Sequence, residues 1–274
     1  MKYKGYYINL FRSEDRRGHI ELELGFRKLS YERFPAIEGN LLGFPLGRLT
    51  EGEIGCFASH LCVLEAHTDN LPAHIIEDDI ILSTNTSFLI ESLLDQLRDE
   101  DWDILYTDVS VPVDIQLCRM YLRYYEEARK TEGFDIKLLN LKGVLSGSMC
   151  SYVVNPKSLG KLTCMLRKEI EAGASLPIDI FLRQKCWEGE INACCTFPFI
   201  TSIIPGNQTT IEGRFAKEPA LAADLLRYSF YVEADMVRAL GDADTLPRVP
   251  VPDLHRQLIK GIMDYTLVQK EESP

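Results

Sequence analysis

The sequence of 274 residues lacks any apolar run of about 18 residues, the length that a membrane-spanning helix needs. Residues 1–10 also lack the apolar stretch of a secretory signal peptide. We therefore expect a cytoplasmic protein without a transmembrane helix. Peripheral contact with the inner-membrane face is compatible with both absences.

Pairs of the form Cys-x-x-Cys are absent as well, although the chain contains eight cysteines. Two of them, Cys194 and Cys195, are adjacent, which suits neither an ordinary disulfide nor the ligand spacing of a zinc site. Without a secretion signal, the cysteines are expected to be reduced and mostly buried. This pattern argues against a structural zinc ion and singles out no nucleophilic cysteine.

Positive charge is scarce, with 30 Lys and Arg against 41 Asp and Glu and a formal net charge of −11. Proteins that bind nucleic acids depend on basic residues to neutralise phosphates, so we expect no nucleic-acid partner. A local basic pocket in an acidic protein can still bind a nucleotide. The pattern Gly-x-x-x-x-Gly-Lys-[Ser/Thr] is missing too, which counts against a phosphotransferase that uses such a loop.

The most informative segment that is present spans residues 75–82, in which Glu77, Asp78 and Asp79 separate two isoleucine-rich blocks. A buried strand that ends in acids places anionic oxygens where open α/β sheets bind ligands. Because side chains alternate along a strand, Glu77 and Asp79 can share one side while Asp78 points to the other. Unpaired, these charges would repel one another, and a bound Mg²⁺ or Mn²⁺ would remove that cost. A solvated acidic turn is the alternative interpretation of this segment taken alone.

The order of the predicted elements indicates the fold class. Strands over 6–10, 31–37, 75–82 and 103–107 alternate with helices over 12–29, 53–68 and 88–98. This alternation predicts an α/β protein with a mostly parallel sheet and helices on its faces. Residues 111–142 are expected to form a surface excursion with a charged helical patch at 122–130. Later strands are predicted over 151–154 and 196–204, and later helices after Pro156, near Asp179, and over 220–240 and 254–268.

Several segments occur in the order of a known family: Tyr7–Leu10 with Asp15–Arg17, Ala36–Gly39, Leu49–His60, Ile76–Asp79, Gly147-Ser148 with Ser151–Val154, and Leu176–Asp179. Together they resemble glycosyltransferase family 25, which includes bacterial lipooligosaccharide glycosyltransferases and the collagen galactosyltransferases. The resemblance spans about residues 6–211, and its most specific piece is GEIGC-x-x-SH at 52–60. It implies a GT-A-like, Rossmann-like catalytic domain, which we place at 1–212 and follow with a helical C-terminal extension at 213–274.

The resemblance also implies roles for individual residues. Glu77 and Asp79 take the place of the family's metal- and diphosphate-binding acids. Arg16 is equally explained as a solvated helix charge, and His60 as a hydrogen-bonded core histidine. The chain departs modestly from the family at Ile76 and at Cys150-Ser151. The residues expected to contact the nucleotide sugar are Asn9, Leu10, Arg16, Glu53, Ser59, His60, Gly147 and Ser148.

Inverting transfer, the reaction that the resemblance implies, needs a base for the acceptor hydroxyl and a stabiliser for the leaving diphosphate. We predict Asp179 as the base, because a place in the first turn of a helix favours the ionised form. Asp108 is the second candidate for the base or for a sugar-hydroxyl contact, and Glu53 is the third. His255 is the candidate third metal ligand, since GT-A enzymes often take a histidine from late in the chain.

The substrates implied by the resemblance are a UDP-sugar, typically UDP-galactose, and a saccharide or lipid-linked saccharide acceptor. The cofactor would be Mn²⁺ or Mg²⁺. Two alternatives stay open: a catalytically inactive nucleotide-sugar-binding protein and a metal-dependent nucleotidyltransferase. Amphipathic residues near 220–240 and 254–268 are compatible with contact to a lipid-linked acceptor, or with a core or dimer face.

Overall fold

The computed structural model describes residues 2–41, 47–111, 115–130, 135–144, 147–205 and 217–235. The strands in these ranges are β1 (Lys4–Asn9), β2 (Glu32–Pro35), β3 (Ala73–Glu77), β4 (Ile80–Leu82), β5 (Ile104–Tyr106), β6 (Lys137–Asn140), β7 (Ser151–Val154), β8 (Ala193–Phe197) and β9 (Thr201–Ile203). The helices are α1 (Glu14–Phe26), α2 (Glu51–Ala66), α3 (Thr86–Gln96), α4 (Ile115–Arg129), α5 (Leu159–Glu171), α6 (Ile178–Glu188) and α7 (Lys217–Ser229). None of these helices is long and apolar enough to cross a bilayer.

Seven of the described strands form one sheet in the order β2-β1-β3-β7-β5-β8-β6. The pairs β1–β2, β1–β3 and β5–β8 are parallel, whereas β7 is antiparallel to both β3 and β5, and β6 is antiparallel to β8. Strands β2, β1, β3, β5 and β8 therefore run in one direction, and β7 and β6 run against them. The predicted α/β fold with a mostly parallel, Rossmann-like sheet is confirmed.

Alternating side chains of the central strands bury both faces of the sheet. Tyr6 and Ile75 face the larger core, which includes residues of α2, α5 and α6. Their neighbours Tyr7 and Ile76 face a second cluster that includes residues of α1 and β4. Leu105 of β5 faces a third cluster, which includes residues of α3. Helices thus cover both faces, as the sequence predicts.

The region over residues 111–142 differs from its prediction as a surface excursion. Tyr121 of α4 is fully buried, and β6 extends the sheet by pairing with β8. Tyr121 and Tyr125 pack rather than face solvent, and Tyr121 contacts the rings of Phe197 and Phe230. The charged residues between them concealed this buried stripe in the sequence.

The strand predicted over 196–204 is two strands, β8 and β9, separated at the cis Phe197–Pro198 bond. β9 leaves the main sheet and pairs antiparallel with β4. The single predicted strand over 75–82 is likewise divided, because Asp78 and Asp79 form a turn between β3 and β4. The predicted last helix, over 254–268, and His255 lie outside the described residues.

Candidate active site at the carboxyl edge of the sheet

The carboxyl ends of β1 and β3 lie side by side, since Ile8 is paired with Glu77. This end of the sheet is called the carboxyl edge below. Asn9 closes β1, and its side-chain amide donates to Asp78 Oδ2 at 2.6 Å and to the carbonyl of Ser13 at 3.0 Å. The first turn beyond β1 is thereby tied to the acidic turn that follows β3.

We call Glu77, Asp78 and Asp79 the acid triplet. Their carboxylates have two different sets of neighbours. Arg16 of α1 forms ion pairs with Asp78 and Asp79. Glu77 instead faces His60 of α2, whose Nε2 lies 3.1 Å from Glu77 Oε1. Single ligand atoms of Glu77, Asp79 and Cys150 lie within 4.8 Å of one another. Glu77 and Asp79 thus converge as predicted, but strand alternation is not the reason, because Asp78 and Asp79 form a turn and both pair with Arg16.

These surroundings shift the pKa values of the acids in opposite directions. Burial by itself would raise the pKa of Glu77, but the hydrogen bond and charge of His60, with smaller effects of Cys150 and Arg16, outweigh it and lower the pKa. For Asp79, burial and the neighbouring Glu77 charge raise the pKa to about 7 despite Arg16. Two adjacent acids with divergent proton affinities are common at functional sites.

A cleft of about 720 Å³ opens beside the acid triplet. Its walls come from the ends of β1 and β3, the loop after β2, the first turn of α1 and its approach, and the first three turns of α2. Two basic side chains, Arg12 and Arg16, face into it together with the acids, and Arg12 pairs with Glu38. Of the residues predicted to bind substrate or metal, the following line the cleft: Leu10, Arg16, Ser59, His60, Glu77 and Asp79.

Three predicted binding residues on α2 are held by the protein itself. His60 is buried and uses both ring nitrogens, because its Nδ1 lies 2.9 Å from Tyr152 Oη. Ser59 accepts from the backbone N–H of Ile37 and donates to the carbonyl of Gly55. Glu53 forms a capping box with Thr50 at the start of α2. His60 thus joins α2 to Glu77, and Ser59 joins it to the loop after β2.

Asp108, the second candidate base, lies on the same edge beyond β5 and is completely buried. It forms an ion pair with Arg227 of α7, whose Nη2 also donates to Ser148 Oγ at 2.8 Å. Burial raises the pKa of Asp108 to about 6, although Arg227 opposes this shift. Asp108 and Ser148 are therefore together, but they do not line the 720 Å³ cleft.

Asp179, the predicted base, lies in the first turn of α6 and is partly buried. Its pKa is raised, because burial outweighs the stabilising effect of the backbone N–H of Ile180 and of Arg183. The helix start does favour the ionised form, as expected, but the larger effect of desolvation reverses the net shift. The negative charge of Glu77 makes a smaller contribution to the same upward shift of the Asp179 pKa. Asp179 also stands outside the cleft lining.

The described residues fit a divalent metal ion between Glu77 and Asp79. Asp79 Oδ1 is buried and has no hydrogen-bond partner in the described structure, although a carboxylate oxygen in this setting needs one. Carboxylate oxygens are the ligands that Mg²⁺ and Mn²⁺ prefer. The Cys150 thiol is a neighbour that the sequence prediction did not include among the ligands.

Several residues of the site were missed by sequence reasoning. Cys150 and Tyr152 come from β7 and its approach, and the departure from the family pattern at 150–151 was the available signal. Cys56 of α2 lies 3.8 Å from Glu77 Oε1 and belongs to the GEIGC segment. Arg227 carried no local signal, because its partner Asp108 is 119 residues away.

Comparisons with known proteins agree with this architecture. A family model described as "Glycosyltransferase family 25 (LPS biosynthesis protein)" matches residues 45–182. A putative glycosyltransferase of Haemophilus influenzae is 31% identical over 109 residues, which is 35% of this chain and 38% of that protein. The lipooligosaccharide biosynthesis protein lic2B of Haemophilus influenzae is 33% identical over 99 residues, covering 31% of this chain and 37% of that protein.

A third relative is the probable inactive glycosyltransferase 25 family member 3 of Bos taurus, 27% identical over 123 residues, which is 37% of this chain. The matched segments span 21% to 38% of the length of these three relatives. The similarity therefore covers a minor part of each relative.

Proposed function

Because the chain belongs to glycosyltransferase family 25, we propose that it transfers a hexose from a nucleotide-sugar donor to a saccharide acceptor. The donor that we favour is UDP-galactose, and the reaction inverts the configuration at the anomeric carbon. The acceptor is a saccharide or a lipid-linked saccharide. The name of the relative lic2B, a lipooligosaccharide biosynthesis protein, supports the second of these.

The observation that carries this proposal is the convergence of Glu77 and Asp79 with Arg16 in one cleft at the carboxyl edge. Ligands of open α/β sheets bind at this edge. A cleft of 720 Å³ is within the range of small-molecule sites and can accommodate a nucleotide. Acids for a cation beside arginines for a phosphate match the mixed charge of a metal–diphosphate group.

Each group then has a chemical task. Glu77 and Asp79 would hold Mn²⁺ or Mg²⁺, which supplies Lewis-acid stabilisation of the leaving diphosphate. Arg16 binds a phosphate oxygen by charge-assisted hydrogen bonds. As the acceptor oxygen bonds to the anomeric carbon, the bond to the diphosphate breaks and its electron pair leaves with UDP. Asp179 takes the proton of the acceptor hydroxyl, with Asp108 as the second candidate for that role.

The raised pKa of Asp179 suits a base, because it increases the affinity of the carboxylate for the proton it receives.

We place the reaction in the cytoplasm, with a lipid-linked acceptor presented at the inner-membrane face. His255 stays the candidate third metal ligand. Asn9, Leu10, Gly147 and Ser148 stay candidates for donor contacts.

The test is UDP release from a panel of UDP-sugars in the presence of Mn²⁺ and candidate saccharide acceptors. We expect the wild type to release UDP from one donor in preference to the others and Asp79→Ala to lose this activity. Asp95→Ala, which removes an exposed carboxylate on α3, is the control and should retain it. Release of pyrophosphate instead of UDP would indicate a nucleotidyltransferase.

The second candidate is a nucleotide-sugar-binding protein without transfer activity, and the bovine relative named as probably inactive gives it support. Tight binding of UDP and Mn²⁺ without turnover over a broad acceptor panel would favour this candidate. Retention of Glu77, Asp79 and Asp179 favours the active enzyme.

A further inference from the structure

Arg227 of α7 is a second arginine close to the acid triplet, and it is buried. Its guanidinium is paired with Asp108, donates to Ser148 Oγ at 2.8 Å and lies 3.9 Å from Cys150 Sγ. The side chains of Arg227 and Asp108 are 6% and 0% exposed. Removing one member of such a pair would leave an uncompensated charge in the protein interior.

The contacts of Arg227 lead directly to the acids proposed to bind metal. Cys150 accepts a hydrogen bond from the backbone N–H of Glu77 at 2.8 Å, and its sulfur lies within 4.8 Å of the ligand oxygens of Glu77 and Asp79. A shift of this guanidinium would therefore displace Cys150, which neighbours Glu77 and Asp79.

The helix that carries Arg227 is anchored in the main core. Leu226 and Phe230 belong to the same hydrophobic cluster as β1, β3 and α2. After α7 the backbone pairs with the segment between β8 and β9, where the Phe199 N–H donates to the carbonyl of Phe230 and the Val232 N–H to that of Phe199. These contacts fix the backbone of α7 at Arg227. The position of its side chain is therefore set by packing as well as by the ion pair.

The topology places this pair next to the cleft along the carboxyl edge. The cleft lies over β2, β1 and β3, and the acid triplet ends β3. Ser148 and Asp108 lie at the same edge beside β7 and β5, the next strands in the sheet. Asp108 and Arg227 therefore lie beside the cleft without lining it.

We propose that Arg227 is a positioning residue of the active site. It holds Asp108, Ser148 and Cys150 in fixed positions relative to Glu77 and Asp79. This inference rests on the proposed glycosyltransferase function. It extends the site to α7, beyond the residues 45–182 that match the family model. Arginine is suited to this task because its fork reaches three partners, which the single ammonium of lysine cannot do in the same geometry.

The experiment compares Arg227→Lys with a matched exchange at the opposite end of β5. There the buried carboxylate of Asp103 is paired with Lys161. The variant Lys161→Arg replaces a lysine by an arginine, the reverse of the change at residue 227. Both variants and the wild type are assayed for UDP release well below the unfolding midpoint of each. For Arg227→Lys we expect kcat to fall on the order of tenfold to 10²-fold with donor KM within about threefold of wild type. For Lys161→Arg we expect both constants to be unchanged.

Ser148→Ala removes one Arg227 contact without disturbing the buried charge pair, and it serves if Arg227→Lys does not fold. A positioning role predicts a lower kcat for this variant, whereas a donor-binding role of Ser148 predicts a higher KM. Wild-type kcat in Arg227→Lys and in Ser148→Ala would overturn this inference and leave the proposed function intact. A loss of kcat in Lys161→Arg as large as that in Arg227→Lys would do the same. A wild type that releases UDP from none of the donors would overturn the proposed function, and the inference with it.

Discussion

At the scale of single residues, the acids of the carboxyl edge are balanced by arginines on two sides. Arg16 pairs with Asp78 and Asp79 at the cleft, and Arg227 pairs with Asp108 behind it. The balance is incomplete, since Asp79 Oδ1 has no partner in the described structure and burial raises the pKa of Asp79 to about 7. A metal ion would supply the missing positive charge at this atom.

We predict that Mn²⁺ affinity rises as the pH increases toward 7 and levels off above it. The cation binds the deprotonated carboxylate, so below the pKa of about 7 each binding event displaces the Asp79 proton. The slope is at most about tenfold in affinity per pH unit for one displaced proton. Titration calorimetry with Mn²⁺ over this pH range measures the effect. Asp79→Asn should bind weakly with little slope, and a flat wild-type profile would contradict the prediction.

His74 is predicted to make the protein sensitive to acid. It is fully buried between Tyr31 and Ser151, and burial lowers its pKa from 6.5 to about 3. Between these values the unfolded chain binds one more proton, so this residue stabilises the fold at neutral pH and loses that contribution as the pH falls below 6.5. The loss is about 1.4 kcal/mol per pH unit.

Urea unfolding at neutral pH and at about pH 4.5 tests this prediction. The wild type should lose more unfolding free energy on acidification than His74→Gln, by on the order of 2–3 kcal/mol. All other titrating groups are shared by the two proteins and cancel in the comparison. Equal losses in both would show that His74 does not titrate in this range.

At the scale of elements, Gly55 explains how the GEIGC segment of α2 brings His60 to Glu77. A Cβ at Gly55 would lie 2.6 Å from the carbonyl oxygen of Ile37 and 2.9 Å from the backbone nitrogen of Gly39. The missing side chain lets α2 approach the loop after β2, which forms one wall of the cleft. The capping box of Thr50 and Glu53 fixes where this helix begins.

We predict that Gly55→Ala destabilises the protein by about 1–3 kcal/mol, because rigid backbone atoms must move apart. Gly18→Ala in α1 is the matched control, since a Cβ there meets nothing within 4 Å. That variant should be more stable than wild type by up to about 1 kcal/mol, as alanine is the better helix former. Chemical denaturation of the three proteins measures both effects, and equal changes would refute the packing argument.

At the scale of the whole molecule, α7 packs as part of the main core. Phe230, just after it, contacts the rings of Tyr121, Phe197 and Phe199, which belong to α4, β8 and the segment between β8 and β9. The predicted boundary between residues 212 and 213 lies outside the described residues and stays a prediction. The described part of the extension, residues 217–235, depends on the core for its contacts.

We predict that a chain ending at residue 212 does not fold cooperatively. It loses Leu226, Phe230 and the Arg227 partner of Asp108, and removal of one buried Phe alone costs about 3–5 kcal/mol. A chain ending at residue 235 keeps α7 with its contacts and is the control. Circular dichroism and urea unfolding measure the folded structure and the unfolding transition of the two chains. Cooperative unfolding of the shorter chain at the wild-type midpoint would establish an independent first domain.

The sequence by itself determined the type of most elements and the acids that end β3. Alternation of apolar and polar residues, helix caps and turn residues are local properties, so β1, α1, α2, β3, α3 and β5 were predictable to within a few residues. The family segments also singled out Glu77 and Asp79, and the structure places both in the lining of one cleft. The burial of α4 and the addition of β6 to the sheet were missed, because charged neighbours masked a pattern that only packing reveals.

The tertiary structure alone decided which side chains meet. Strand β7 runs against its neighbours between β3 and β5, and this brings Cys150 and Ser148 to the carboxyl edge. Helix α7 then delivers Arg227 to Asp108 over 119 residues of chain. Such pairs have no local signature, because their energy arises from burial and compensation of charge in the folded interior. The same burial reversed the expected effect of the helix start on Asp179, since desolvation exceeded the local dipole.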